Sequence, residues 1–168
     1  NMFEQVFEHF QLALKAFERA AYLAPADSSV LTGLADVQER MGSLEAAAAT
    51  YQRIASLALR EGDLQAAADA WTRATRLAPD QVDAYRRLIQ VLEQLGRPGQ
   101  AAVECVTLAS IYERRGNRDQ AVAAHREALR LDPGNEHARA RLTALTSGPQ
   151  TPPESVPTWS AASLTSAR

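Results

Sequence analysis

The stretch ERRGNRDQAVAAHREALRLDPGN, residues 113–135, is written a second time 54 residues earlier as LREGDLQAAADAWTRATRLAPDQ, residues 59–81. Gly116 answers Gly62, Ala121 answers Ala67, Ala128 answers Ala74, Leu131 answers Leu77 and Pro133 answers Pro79. Extended outward, residues 34–88 align without a gap onto 88–142, and FQLALKAFERAAYLAP (10–25) falls in register with 64–79. Prolines 25, 79 and 133 mark the same phase. A chain that repeats at a fixed period builds its core by stacking like units, because one unit alone cannot cover its own apolar faces.

The unit is punctuated into three helices. The first starts after a proline turn, where Ser28 or Ser29 is the expected cap, as Asp80 is after Pro79, and it ends at Gly42 or Gly96. The second runs over 44–61 and, from Pro98 in a first-turn position, over 98–115. The third covers 64–77 and 118–131, each closed by the following proline. Within the second helix Leu44, Ala47, Ala48, Tyr51, Ile54, Ala55 and Ala58 share one face. An earlier amphipathic helix over 3–24 is expected to pack on the helix over 29–41 rather than lie on a membrane.

Apolar residues make up 46% of the 168 positions but aromatics only 6%, so alanine and leucine must do most of the packing. That suits helices meeting at short range and leaves no segment with strand alternation. The formal charge of −2 argues against a protein that mainly neutralises phosphates, and no nucleic-acid partner is expected. Basic charge is nearly all arginine, Lys15 being the only lysine. A single cysteine, Cys105, excludes an internal disulfide and a cysteine-based metal cluster. No apolar run approaches the ~20 residues of a membrane span, and NMFEQVFEHF carries acid where a secretory signal would be basic. A cytoplasmic location is the expectation, although a chain that starts on Asn1 is compatible with a fragment whose signal lies upstream. Residues 1–146 form the expected helical domain, and the Ser-, Thr- and Pro-rich stretch 147–168 is expected to be a flexible tail.

Gly62, Ala67, Trp71, Ala74, Leu77, Pro79, and again Gly116, Ala121, His125, Ala128, Leu131, Pro133, resemble the second helix of a tetratricopeptide repeat. Gly62 and Gly96 are 34 residues apart, the period of that family. Gly42 to Gly62 and Gly96 to Gly116 span only 20, too short for a second helix, a turn and a new first helix. The middle helix then serves both roles, giving a 34 + 20 unit in an array of the bacterial type. The resemblance covers roughly residues 8–146. It implies an all-α fold, a right-handed α-solenoid of antiparallel helices.

In that family the first helices line a concave groove that holds an extended peptide or partner helix. By register the groove positions here are Thr32, Gly33 and Asp36, then Arg86, Arg87 and Gln90, then His137 and Arg141. Chaperone-binding members place Asn and Lys at such positions to clamp a C-terminal carboxylate. Here Gly33, Arg87 and Arg141 occupy the Asn positions, so the surface is better suited to an acidic peptide held by forked guanidinium contacts. The resemblance implies a scaffold or adaptor that binds another protein and is compatible with self-association. It implies no enzyme activity and no cofactor. The alternative is a regulatory or targeting segment of a larger enzyme or signalling protein.

No other chemistry is spelled out. Cys105 and His125 occupy the repeat positions of Tyr51 and Trp71, which are packing positions, and no third orienting group or metal-ligand spacing accompanies them. His9 and His137 read as helix-surface or cap residues. The run RRGNR (114–118) reads as cations at a helix C-terminus. The glycines end helices and cradle no phosphate.

Overall fold

The computed structural model describes residues 1–148; the expected tail, with Trp159, lies outside the described residues except for Ser147 and Gly148. Eight helices span them: α1 (Met2–Leu23), α2 (Ser28–Arg40), α3 (Leu44–Glu61), α4 (Leu64–Leu77), α5 (Val82–Gln94), α6 (Pro98–Arg114), α7 (Arg118–Leu131) and α8 (Glu136–Thr146). Each packs chiefly on its neighbours in sequence, so the chain zigzags into an all-α solenoid.

Two kinds of turn produce the zigzag. At Gly62 the backbone is left-handed, φ 79°, and Asp63 N donates back to Ala58 O at 2.9 Å, closing the last turn of α3. Equivalent bonds from Ser43, Arg97 and Asn117 close α2, α5 and α6. The other kind is the proline turn, in which Asp27 N reaches Ala24 O and Asn135 N reaches Asp132 O, both at 3.1 Å. Two expected caps are corrected. Asp27, not Ser28 or Ser29, caps α2, accepting from Ser29 N and Val30 N, because its side chain sits one residue before the first helical turn. Gln81 rather than Asp80 precedes α5, and it makes no side-chain cap; Asp80 instead accepts from Arg114 at 3.1 Å.

The middle helices are single rods. The 18 residues of α3 and 17 of α6 run without a break through Ser56 and Ser110, whose hydroxyls donate back to Gln52 O and Val106 O. Their inner faces are alanine. Ala47, Ala48 and Ala55 on α3, Ala67 and Ala74 on α4, and Ala101, Ala102 and Ala109 on α6 are wholly buried. With no side chain beyond Cβ, facing helices approach at the short end of the ~8–10 Å range. Trp71, Tyr85 and Tyr112 fill the wider gaps. Between α2 and α3 the buried Thr50 hydroxyl donates to Gln38 Oε1 at 2.7 Å, so neither polar group is left unsatisfied.

The core runs continuously from α3 to α8, whereas α1 and α2 form a smaller cluster of Ala21, Leu31 and Leu34 with Leu14 and Phe17. Ile54 of α3 belongs to both. At this end Gly33 lets Phe17 lie directly on the α2 backbone: a Cβ there would stand 2.3 Å from Phe17 Cε1.

Gly33→Ala should therefore destabilise the α1–α2 junction by about 1–3 kcal/mol despite alanine's better helix propensity. Phe17→Leu combined with it should recover part of the loss, read as hydrogen-exchange protection in α1. Trp71→Ala removes the largest side chain between alanine-lined helices and should cost roughly 3–5 kcal/mol in chemical denaturation.

Candidate functional site

An extended concavity lies over α3. Its solvent side is the strip Ala46, Ala49, Arg53, Ser56 and Arg60, spaced by three and four residues and all exposed. Three adjoining depressions of about 530, 510 and 400 Å³ run along it. The first is walled by Glu18 and Tyr22 of α1 and shares Pro25, Ala49 and Arg53 with the second. The second shares Gln52, Ser56 and Trp71 with the third, which reaches Asp83 and Arg87 on α5. Together they form a shallow trough crossing from α1 to α5. Trp71 stands at its waist, and its buried indole Nε1 has no acceptor among the described residues.

Arg53, Arg60 and Arg87 line this trough and make no ion pair among the described residues. Glu18 and Asp83 are the carboxylates there, and Asp83 is shared with Arg86 at 3.6 Å. The lining thus favours anions and offers apolar contact at Tyr22, Leu57 and Trp71.

The register-derived groove positions are dispersed. Arg87 lines the trough. Arg86, its neighbour, turns toward α6 and donates to the Tyr112 hydroxyl at 2.7 Å, besides its contact with Asp83. Asp36 pairs with Arg40 at 3.0 Å, and Thr32 donates to Ser28 O at 2.8 Å. Gln90 and His137 are exposed on α5 and α8. Arg141 is engaged by Glu113 of α6. The register positions lie on α2, α5 and α8 and do not include Arg53 and Arg60, which the three-and-four spacing along α3 puts on one outer face.

Cys105 and His125 are both buried. Burial, with Glu127 and Glu93 adding to it, pushes the Cys105 thiol up to about 12, leaving no thiolate for nucleophilic work. His125 Nε2 donates to Glu113 Oε1 at 2.9 Å, and its Nδ1 has no partner among the described residues. No group of three His, Cys, Asp or Glu among the described residues could hold a metal. The arginines of 114–118 bind the protein's own chain: Arg114 and Arg115 tie to Asp80, and Arg118 donates to Leu145 O. His9 bonds its own helix at Gln5 O.

Models of the tetratricopeptide repeat match residues 7–56, 53–104 and 105–139. The chain belongs to the tetratricopeptide repeat family. The matches meet inside α3 and inside α6. No curated protein sequence is similar to it. Among solved structures, the MamA protein is 22% identical, with 82% of this chain and 88% of that one covered at a TM-score of 0.33. TTC0263, a thermophilic TPR protein of Thermus thermophilus, is 20% identical with 86% and 94% covered, at 0.30. YrrB, described as a TPR protein with an unusual peptide-binding site, is 14% identical with 82% and 85% covered, at 0.30. As a tetratricopeptide chain this is a protein-interaction module. No helix among the described residues is long and apolar enough to cross a membrane.

Glu113 joins α6 to α7 and α8. The Arg141 hydrogen bond, and next that of His125, holds its carboxyl below the ordinary carboxylate range. A depressed carboxylate adds stability above its unfolded pKa, about 4.3, and loses it as pH falls through the folded value. Hydrogen exchange in α8 should accelerate as pH drops below that range, after correction for intrinsic rates. In Glu113→Gln, α8 should be less protected at neutral pH and lose this acid dependence.

Proposed function

We propose that the chain is an adaptor that captures an extended acidic segment of a partner protein along the α3 trough. The observation that carries this reading is the row of Arg53, Arg60 and Arg87, unpaired among the described residues, along one continuous depression. Guanidinium groups already forked onto carboxylates, as Arg141 is, have less to offer a ligand. Those on the α3 strip can give two parallel hydrogen bonds to a carboxylate, while Tyr22, Leu57 and Trp71 take apolar side chains between the charges. An extended strand advances ~3.3 Å per residue, so carboxylates at alternate positions face the same wall.

The unit that makes this trough is the 54-residue one. A middle helix that acts both as the second helix of one repeat and the first of the next brings its outer face to the surface between α1 and α5. The second unit does not reproduce the site: Val103, Thr107 and Ser110 of α6 stand where α3 has Ala49, Arg53 and Ser56, and Arg114 is tied to Asp80.

A fluorescein-labelled peptide alternating Glu with Leu, titrated by anisotropy, tests this directly. Arg53→Glu with Arg87→Glu should weaken binding by at least about tenfold per charge reversed, and added salt should weaken the wild type. Arg141→Glu should leave affinity within about twofold. If Arg141→Glu abolishes binding and the double reversal does not, the ligand lies on the first-helix face of α8 instead.

A further inference from the structure

We propose that the first depression of the trough, about 530 Å³ between α1, α2 and α3, is a pocket for one tyrosine side chain of the bound segment, its phenol oxygen held by the Gln38 amide. It rests on the capture of a segment along the trough and names the side chain that enters at the α1 end. The depression is layered. Its floor is buried: Ala21, Leu34, Gln38 and Thr50 are each at most 8% exposed. Its rim is exposed, with Tyr22 and Pro25 from α1 and the following turn, and Ala49 and Arg53 from α3. Thr50 Oγ1 donates to Gln38 Oε1 at 2.7 Å, which fixes the amide, while Gln38 Nε2 has no partner among the described residues. That nitrogen is not sealed in, since Trp71 Nε1 and His125 Nδ1 are the described side-chain atoms that are both enclosed and unpartnered. A nearly buried side chain thus turns a free N–H toward the depression it lines.

The second unit shows that the fold does not require this arrangement. At the matching positions Leu92 stands for Gln38 and Glu104 for Thr50, and Leu92 is 5% exposed with no polar group to satisfy. An amide and a hydroxyl in a floor that accepts leucine cost desolvation, which one hydrogen bond only partly offsets. Nor does the depression owe its opening to the start of the chain. Helix α3 precedes the matching place in the second unit, and Arg76, Pro79 and Val103 there, the counterparts of Tyr22, Pro25 and Ala49, are exposed all the same.

The floor selects a hydroxyl on a flat apolar body. Thr50 Oγ1 also lies 3.1 Å from Ala46 O. With the threonine proton on Gln38 the amide offers N–H; with that proton on Ala46 O the amide can turn over, donate to Thr50 and offer its carbonyl. A phenol accepts in the first state and donates in the second, whereas a carboxylate serves only the first. Glu18 on the rim and the apolar Ala21 and Leu34 below disfavour a carboxylate further. Phenylalanine or leucine would leave the Gln38 nitrogen without an acceptor. Tyr22 and Pro25 give the ring flat apolar walls. Arg53 borders this depression and the next, so it takes the carboxylate of a residue beside the tyrosine.

Placing Tyr, Phe or Gln at one terminal leucine of the alternating Glu–Leu peptide tests this by anisotropy. The Tyr peptide should bind about three- to tenfold tighter than the other two. Gln38→Leu, which writes the second unit's residue into the first, should melt no lower than wild type and bind the Tyr and Phe peptides equally. Arg87→Glu, at the far end of the trough, should weaken all three alike. A Phe or Gln peptide that binds wild-type chain as tightly as the Tyr one overturns the pocket and leaves the trough standing, as does a Gln38→Leu chain that still prefers Tyr. If no peptide binds, the trough reading fails, and N-acetyltyrosinamide decides the pocket by nuclear magnetic resonance. It should shift the Gln38 side-chain amide signal where N-acetylphenylalaninamide does not, and the absence of that shift overturns the pocket as well.

Discussion

Close approach between alanine-faced helices is the constraint on which the rest of this molecule depends. Where Ala55, Ala67, Ala74, Ala101, Ala109, Ala121 and Ala128 meet, neither helix has a side chain that could slide or rotate to absorb a misfit. The rotation of each helix about its own axis is thereby set, and with it the residues that face water. The outer strip of α3 is a consequence: once Ala47, Ala48, Ala55 and Ala58 are turned inward, Ala49, Arg53, Ser56 and Arg60 are turned outward. A recognition surface placed opposite such a face inherits its rigidity.

A second layer of order comes from polar ties that skip one helix. Arg73 of α4 forks onto Glu39 of α2 at 2.7 and 2.9 Å and lies over the Tyr51 ring, 5.6 Å from its centroid. Arg130 of α7 reaches Glu93 of α5 at 3.0 Å, and Arg114 of α6 reaches Asp80 in the α4–α5 turn. Exposed pairs of this sort add little stability each. Their larger consequence is selective. They hold Arg73, Arg114 and Arg130 in contacts within the chain, whereas Arg53, Arg60 and Arg87 along the α3 trough make no ion pair among the described residues.

The two ends of the array are held unequally. Beyond α3 one core runs unbroken, and α8 is further fastened through Glu113, His125 and Arg141. The α1–α2 pair has its own small cluster, joined to the rest through Ile54, Leu57, the Gln38–Thr50 hydrogen bond and the Arg73–Glu39 pair. It is also where the trough begins.

Local order was legible in the residues themselves. Glycine at 42, 62, 96 and 116 and proline at 25, 79 and 133 can each serve in few backbone conformations, so helix boundaries followed from them to within a residue or two. The alanine register, repeated at 54, made the stacking of like units the only economical core. Caps were less legible, because Asp27, Ser28 and Ser29 can all accept from a helix N-terminus, and only the path of the chain out of the proline turn selects Asp27. The surface was least legible. Arg53, Arg60, Arg86, Arg87 and Arg141 are the same side chain, with the same chemistry, wherever they are written. Which of them meets Tyr112 or Glu113 and which faces an open trough depends on partners 26 or 28 residues away or on none. Sequence by itself determined the helices, their order and their buried faces, because those follow from local backbone chemistry and a short repeat. Tertiary structure alone decided where the concavity lies and which charges remain free, because both depend on what the superhelical path brings alongside.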